Sequence, residues 1–296
     1  MTDNNDPATN PRHPFLAATL CVLILGWLGA AQPAGATDAD PATAALDLTT
    51  NDPTSGWVND AFFSQGVAHP AGSGYGALDT FLKINTTNPV EQGYNTDFRY
   101  PDGVDPNGHP YMEFDQITDH HTRSMQLSEV PIFQLNGSWY LEFLLDINEL
   151  ESGVKEFLSL DQLRLYLSDD GLLHDYAGDW DGDGTAGWDT LADKFWDMNP
   201  NTGDDNWVAM NYDIIGGGSG FADIFVYVPI ALDVYQAKQE SYLYLYSMFG
   251  VHIANDNKLE EWGVAAPVPE PATMLLFGSG LAGLGALLRR RQEEVN

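Results

Sequence analysis

Residues 132–147 read IFQLNGSWYLEFLLDI, and this stretch decides the fold of the chain. Its Asn136-Gly137 pair is the strongest short-range signal for a β-hairpin, because both central residues of a type I′ turn need positive φ. After the turn, hydrophobic side chains stand at every second position: Leu141, Phe143, Leu145 and Ile147. This alternation is the period of a strand with one buried face. The stretch therefore predicts two antiparallel strands joined by a tight turn.

The same alternation recurs on both sides of the hairpin. It marks further strands within residues 77–85, 122–128, 163–167, 207–214, 224–228 and 242–246. Many short strands with turn signals between them, and almost no helical period, indicate two packed sheets. The predicted fold class is all-β: an antiparallel, jelly-roll-like β-sandwich body, flanked by an N-terminal signal peptide helix and a C-terminal single transmembrane helix.

One segment of the body fits two structures. Trp188, Leu191, Ala192, Phe195 and Trp196 follow the spacing of an amphipathic helix. Residues 194–198 also suit a strand that pairs with residues 207–212 across an Asn-Pro-Asn-Thr-Gly turn. Of the two, the strand pairing is favoured.

The C-terminus carries three features in a fixed order: Pro269, Glu270 and Pro271, an apolar run over 272–288, and then Arg289, Arg290 and Arg291. As a helix, the run of 17 residues would span about 26 Å, close to the ~30 Å hydrocarbon core of a bilayer. Arginines directly after a span stay cytoplasmic. The sequence thus predicts an exported body held by a transmembrane helix.

This tail resembles the PEP-CTERM sorting signal of Gram-negative bacteria. The resemblance implies a partner, an exosortase-like membrane enzyme that recognises the tail and cleaves near the Pro-Glu-Pro triplet. It also implies a membrane-anchored intermediate that ends at the cell surface or in the extracellular matrix. The alternative is an ordinary tail anchor that is not cleaved.

The N-terminus reads as a secretory signal peptide. An apolar run over 15–31 precedes the small residues Ala34, Gly35 and Ala36, which form an A-x-A site with cleavage after Ala36. A retained N-terminal anchor is the second interpretation. The predicted organisation is listed along the chain: signal peptide 1–36, acidic β-sandwich domain 37–262, linker 263–268, sorting signal 269–291 with its transmembrane helix 272–288, and cytoplasmic tail 292–296.

The body is strongly acidic. Residues 37–268 hold 8 Lys and Arg against 38 Asp and Glu, a net charge of −30. Such a surface repels nucleic acid and anionic lipid and concentrates cations. The only cysteine, Cys21, lies in the signal peptide, so the body relies on its core, and on metal if it binds one, rather than on disulfides.

An Asp-rich segment is the candidate metal site. Asp179, Asp181 and Asp183 alternate and are followed by Gly184, which lets several oxygens point at one hard cation. The segment resembles the opening of EF-hand and dockerin-type calcium loops. The predicted Ca²⁺ ligands are Asp179, Asp181, Asp183, Thr185 through its carbonyl, and Asp189, with Asp193 as a substitute for the last. The twelfth position is Thr190, where an EF-hand has a bidentate Glu, and the alternative is an acidic surface turn.

Catalytic motifs are missing from the sequence. His120-His121 has no HExxH context and is interpreted as part of a solvated loop, and Ser73 is not in a G-x-S-x-G elbow. The glycines within 216–220 lack the Lys-Ser or Lys-Thr of a phosphate loop. A glycosidase needs two carboxylates at a defined separation, and the sequence does not select a pair.

The leading interpretation is a non-enzymatic surface or matrix protein that acts in adhesion or in association with exopolysaccharide. A second is a carbohydrate-binding module that uses some of the body's tryptophans, at positions 57, 139, 180, 188, 196, 207 and 262; most of them are expected in the core. A third is a secreted glycoside hydrolase.

Overall fold

A computed structural model describes residues 39–52, 54–66, 78–85, 89–100, 112–114, 121–148, 156–176, 187–188, 191–215, 222–255 and 259–265. All of them belong to the unit Gln32–Asn296, whereas the unit Met1–Ala31 lies outside the described residues. The strands are β1 Leu46–Leu48, β2 Ser55–Val58, β3 Ala61–Gln65, β4 Leu78–Ile84, β5 Glu91–Tyr94, β6 Met125–Gln126, β7 Ile132–Leu135, β8 Ser138–Asp146, β9 Phe157–Ser168, β10 Asp193–Asp197, β11 Val208–Asn211, β12 Ile224–Pro229, β13 Tyr242–Phe249 and β14 Glu260–Ala265. Two short helices, α1 Tyr212–Ile215 and α2 Leu232–Ala237, and 3-10 turns at Pro41–Thr43 and Leu127–Glu129 connect them.

The strands form two sheets. Sheet A has the order β1-β11-β9-β13-β5, with β10 also paired to β9 and β6 to β13. Sheet B has the order β2-β3-β12-β8-β14-β4, with β7 also paired to β8. The all-β class is therefore confirmed, while the jelly-roll subtype stays a prediction.

Each sheet turns one face toward a shared hydrophobic core. Alternate residues of β9 and β13 in sheet A and of β8 and β12 in sheet B belong to one buried cluster. Contacts between the sheets include Trp262 Nε1, which donates to Ser247 Oγ at 2.9 Å, and Phe249 beside Trp262 at 6.5 Å between ring centroids. Each fully buried Leu or Phe contributes about 1.5–3 kcal/mol, so this core can stabilise the body without disulfides.

The predicted hairpin is present. Strands β7 and β8 pair with Leu135 opposite Ser138, and the two turn residues have φ of 51° at Asn136 and 89° at Gly137. The predicted inward face of β8 is buried as well, since Leu141, Phe143, Leu145 and Ile147 all belong to the shared core.

The predicted partner of residues 194–198 was wrong. They form β10, but β10 pairs with β9, with Lys194 opposite Tyr166. The reason is the length of β9, which offers residues near Leu160 to β11 and residues near Leu165 to β10 on the same edge. The helical alternative is not formed either, because residues 193–197 are extended.

The predicted common face of β4 holds only in part. Leu82 and Ile84 lie in the shared core, whereas Leu78 packs on the opposite face of sheet B. A register shift between Trp262 and Gly263 in β14, opposite β4, accounts for the change of side. Strand β14 also continues to Ala265, into the segment predicted as a linker.

The sheets are not purely antiparallel, because β1 runs parallel to β11 with Leu46 opposite Val208. These strands are far apart in sequence, and a parallel pair requires such a long connection. Among the residues that the structure describes, no helix has the length and apolar character to cross a membrane. The predicted span 272–288 and the signal peptide lie outside them.

Candidate functional site

A β-bulge in β9 contributes one wall of a polar cleft in the described body. Opposite β13, Met248 pairs with Gln162 and Phe249 with Leu160, which leaves Asp161 as the extra residue. A bulge bends its strand and redirects a side chain. Here it places the Asp161 carboxylate on the outer face of sheet A, in the wall of a cleft.

The Asp161 carboxylate is buried and surrounded by donors. It is 5% exposed. Oδ2 accepts bonds from Ser159 Oγ at 2.9 Å and from the Val251 amide at 2.8 Å, and Oδ1 faces His252 Nδ1 at 2.7 Å. Burial raises the pKa of Asp161, and the bonds from His252 and Val251 oppose that shift. These donors surround the Asp161 carboxylate and favour its charged form.

His252 bridges two carboxylates. Its Nδ1 faces Asp161, and its Nε2 lies 3.3 Å from Asp205 Oδ2. The ring also stacks on Trp207, with 4.5 Å between centroids and an interplanar angle of 4°. Both ring nitrogens can donate only in the imidazolium form, and the hydrogen bond to Asp161 raises the pKa of His252. The site therefore favours protonated His252.

A second charged group lies across the cleft. Arg164 Nε is 3.2 Å from Asp197 Oδ2, and Lys194 Nζ is 2.7 Å from the same oxygen. The other oxygen of Asp197 accepts the Asn199 amide at 2.9 Å, and Arg164 also donates to Tyr176 OH at 3.0 Å. One carboxylate thus holds two cations in place.

The loop between β10 and β11 forms the open wall of the cleft. At its base, Asn199 Nδ2 donates to the carbonyls of Asp161 at 3.1 Å and Asn206 at 3.0 Å. At its tip, the Asn201 amide donates to Asp204 Oδ2 at 2.9 Å. Asp205 is 77% exposed and meets His252, so the tip is joined to the turn after β13.

The cavity between these walls measures about 130 Å³. That is below the ~300–1,000 Å³ of pockets that enclose a drug-sized ligand, so the cleft suits one ring or one end of a larger molecule. Besides its charged residues, the lining offers neutral hydrogen-bonding groups: Gln162, Asn201 and Thr202. This lining is suited to a hydroxylated ligand.

Ser159, beneath the cleft, and His252 and Asp161, in its wall, lie together without the geometry of a nucleophilic triad. A triad needs the serine hydroxyl hydrogen-bonded to the histidine. Ser159 Oγ instead donates to Asp161, lies fully buried, and accepts the amide of Ile253 at 2.9 Å. In His252, the nitrogen that would activate a nucleophile faces Asp205. Among these residues, binding is better supported than acyl transfer.

An aromatic cluster extends along sheet A from the cleft. Tyr176 stacks on Tyr246 with 4.3 Å between centroids, and Tyr94 OH donates to Glu113 Oε2 at 2.6 Å. Burial raises the pKa of Glu113. The cluster covers the outer side of the sheet with tyrosine and tryptophan rings, namely Tyr94, Tyr166, Tyr176, Trp188, Tyr244 and Tyr246.

The predicted calcium ligands lie outside the described residues: Asp179, Asp181, Asp183, Thr185 and Asp189. Their flanks are described. Tyr176 and Trp188 are buried in the aromatic cluster, with 4.9 Å between their ring centroids, and Trp188 Nε1 donates to the His174 carbonyl at 2.9 Å. The chain thus enters and leaves the Asp-rich segment at neighbouring points. No group of three or more His, Cys, Asp or Glu side chains in the described part of the chain could hold a metal ion.

Most of the other predicted site residues also lie outside the described residues. The sorting residues Pro269, Glu270, Pro271, Arg289, Arg290 and Arg291, and the signal-cleavage residues Ala34 and Ala36, lie outside the described residues. So do His120, Ser73, Trp180 and residues 216–220, whereas His121 is exposed.

The described tryptophans are mostly core residues, as expected. Trp188, Trp196, Trp207 and Trp262 are buried. Trp139 is partly buried against the shared core, and Trp57 is exposed at 48%. It faces Phe62 at 4.8 Å between ring centroids.

Sequence reasoning missed the cleft residues, because Asp161 and His252 are 91 positions apart and no local motif joins them. One signal was available. The leucines of β9 stand at 158 and 160 and then at 163, 165 and 167, and the spacing of three marks the point where the bulge adds one residue to the strand.

Comparison with known proteins identifies the tail and not the body. Residues 267–291 match the PEP-CTERM protein-sorting motif. Neither the curated proteins nor the solved structures contain a significant match to the chain. The resemblance drawn from Pro269, Glu270, Pro271 and the arginines is thereby confirmed, while the body is unidentified.

Proposed function

We propose that this chain is a non-enzymatic surface or matrix protein, sorted by an exosortase-like membrane enzyme and associated with exopolysaccharide. The observation that carries the proposal is the sorting motif at 267–291, which suggests export and processing by exosortase. The transmembrane helix 272–288 holds the body outside the membrane until the tail is removed. The mature surface form then ends near Pro271.

Mass spectrometry of the cell-surface form tests the sorting step in a host that contains an exosortase. We expect a C-terminus near the Pro-Glu-Pro triplet, and we expect the variant with Ala at 269, 270 and 271 to stay unprocessed in the membrane. The matched control Asp233→Asn, on the exposed side of α2, should be processed normally. A surface form that ends at Asn296 would make the tail a plain anchor.

The body associates with exopolysaccharide through the cleft of sheet A. Polar side chains converge on a small concavity there, and its two buried carboxylates are held by cations and amides, as expected of a binding site. Retention of the surface form on matrix polysaccharide should fall at least tenfold in Asp204→Asn/Asp205→Asn and stay unchanged in Asp233→Asn. Turnover of any polysaccharide by the purified protein would instead favour a secreted glycoside hydrolase.

Calcium steadies the body in this proposal, bound by Asp179, Asp181, Asp183, Asp189 and the carbonyl of Thr185. Neighbouring anchors at Tyr176 and Trp188 support it, because a loop with fixed ends loses less entropy when it closes around an ion. Millimolar calcium should raise the melting temperature, and Asp181→Ala, but not Asp233→Ala, should abolish the gain. Identical melting curves with and without a chelator would contradict the proposed calcium binding.

The exposed Trp57 favours a second candidate, a carbohydrate-binding module that stacks a sugar on this ring. Its neighbours Phe62 and Tyr140 give it an aromatic base, at 4.8 Å and 6.0 Å. If the ring is the platform, Trp57→Ala should abolish polysaccharide retention while Leu172→Ala, which removes a side chain of similar exposure, should not. Retention that depends on Asp205 and not on Trp57 assigns binding to the cleft.

A further inference from the structure

The turn after β13 and the loop between β10 and β11 meet at a single imidazole ring. His252 belongs to the turn, with its backbone amide 3.2 Å from Asp161 Oδ1. Asp205 belongs to the tip of the loop. The contact from His252 Nε2 to Asp205 therefore joins the turn after β13 to the loop between β10 and β11, which forms the open wall of the cleft.

The two carboxylates that His252 bridges are unequal. Asp161 is almost fully buried and holds Nδ1 at 2.7 Å, whereas Asp205 is 77% exposed and lies 3.3 Å from Nε2. When the ring loses one proton, the remaining N–H stays with the shorter, buried partner, where an unpaired charge would cost most. Nε2 then carries a lone pair toward the Asp205 carboxylate, and an attraction becomes a repulsion.

We propose that His252 is a proton-operated latch, which holds the loop tip against the cleft in acid and releases it as the solution becomes alkaline. This proposal adds regulation to the binding site proposed above and rests on that assignment only for its biological meaning. The geometry of the latch is independent of what the cleft binds.

The charged surroundings of His252 fix the direction of the switch. The ring faces Asp161 on β9 and Asp205 on the loop, and Asp204 is the neighbour of Asp205. The cations Arg164 and Lys194 line the same cleft, and both are paired with Asp197. The carboxylates in direct contact stabilise the imidazolium. Because they raise the pKa of His252 above its usual value, the latch is closed below the ordinary histidine range and opens above it.

The stacking on Trp207 keeps the ring in place during the change. Trp207 is buried, and its carbonyl accepts the amide of Ala45 at 3.0 Å, so the indole belongs to the rigid part of sheet A. Loss of the Asp205 contact therefore frees the loop tip rather than the imidazole.

Hydrogen exchange of the full chain in detergent micelles tests the latch. After correction for intrinsic exchange rates, protection of amides 201–205 should fall by roughly tenfold or more between pH 5.5 and pH 9. In His252→Gln, which cannot be protonated, protection should be low and independent of pH. Asp205→Asn keeps the buried Asp161–His252 pair and should also lose the pH dependence, which covers the case in which His252→Gln fails to fold.

The matched control is His174→Gln. His174 also stacks on an aromatic ring, Phe98, at 3.7 Å between centroids and faces a carboxylate, Asp175, at 3.7 Å, but it does not bridge to the loop. It should keep the wild-type pH dependence of residues 201–205. Protection that does not change with pH in the wild type, or that changes equally in His252→Gln, would overturn the latch. Loss of polysaccharide retention would bear on the proposed function alone, because exchange is measured without ligand.

Discussion

Asp161 in sheet A and Asp223 in sheet B are equally buried and have opposite surroundings. Asp161 is 5% exposed and Asp223 is 3% exposed. Asp161 meets an imidazole, a hydroxyl and amides, all of which can donate. Asp223 accepts the Ile147 amide at 2.8 Å but otherwise faces a second buried carboxyl group, Asp146. The two carboxyl groups are therefore buried to a similar extent, but the groups that they contact differ.

The difference teaches that partners act in opposite directions at similar burial: the donors around Asp161 oppose the rise in pKa that burial causes, whereas Asp146 adds to that rise at Asp223. The pKa of Asp223 is raised to about 8, chiefly by burial; the Ile147 amide opposes the shift, and the charge and hydrogen bond of Asp146 add to it. Two adjacent carboxyl groups share a proton because both cannot ionise in one buried place. Sheet A thus carries an ion pair at its outer face, and sheet B carries a neutral acid.

The largest expected effect is on the charged side of this comparison. Asp161→Asn keeps the shape of the side chain but turns an NH₂ group toward donors such as His252 Nδ1 and the Val251 amide. Removal of one partner from a buried pair costs about 3–5 kcal/mol, so we expect a loss of that size in the free energy of unfolding at pH 7. Chemical denaturation measures it, with the exposed Asp233→Asn as the control. A loss below about 1 kcal/mol would mean that Asp161 is not held as an anion.

The neutral acid predicts the opposite sign. The pKa of Asp223 is about 8 in the folded chain and about 3.9 when unfolded, so the folded state binds more protons between these values. Its contribution to stability is therefore present below pH 4 and is lost as the pH rises to 8. Asp223→Asn donates to Asp146 as the protonated acid does, and it should leave stability at pH 4 nearly unchanged.

At pH 9 the Asp223→Asn variant should be more stable than the wild type by about 2–4 kcal/mol, a figure reduced from the full shift because Asp146 shares the proton. Thermal or urea unfolding across pH 4–9 gives the two curves. If they run parallel, Asp223 is ionised in the folded chain, and the contrast with Asp161 disappears.

A smaller effect of the same sign is expected at Glu142, on the same face of sheet B. Burial raises the pKa of Glu142 to about 7, while a hydrogen bond with Tyr227 opposes the shift. Stability from this group is present below about pH 4.3 and is lost as the pH approaches 7. Glu142→Gln should match the wild type at pH 4 and exceed it by about 1–2 kcal/mol at pH 8, whereas the exposed Glu240→Gln should match it throughout. A decrease at pH 8 would show that the carboxylate is needed in its charged form.

The contrast between the two sheets also shows what the sequence could predict. The hairpin at Asn136-Gly137 and the inward residues of β8 were predictable, because turn chemistry and alternation are local. The sorting motif was recognised for the same reason, since Pro269, Glu270, Pro271 and the arginines are neighbours in sequence.

The cleft was not predictable, because its parts come from distant strands. No sequence pattern near Asp161 predicts its contact with His252. The strand that pairs with β10 depends on the length of β9 rather than on any feature of β10. The bulge was predictable in part: the leucine spacing across 160–163 indicates its position but not which side chain it turns outward. Local patterns therefore predicted strands and faces, and pairing across the sheets created the site.

The smallest expected effect returns to the ion pair, at His252. Because the pKa of His252 is raised in the folded chain, its stabilisation is fully present below the unfolded value of about 6.5 and is lost as the pH rises through the folded value. His252→Gln should cost about 1 kcal/mol at pH 5.5, an amount kept small because the ring is partly solvated and exposed ion pairs are screened. The cost should shrink toward zero at pH 9, where the wild-type ring is neutral. Melting curves of the wild type, His252→Gln and His174→Gln at both pH values give the comparison, and a cost that grows with pH would mean that the ring is neutral beside Asp161 and that this carboxyl group keeps its own proton, as Asp223 does.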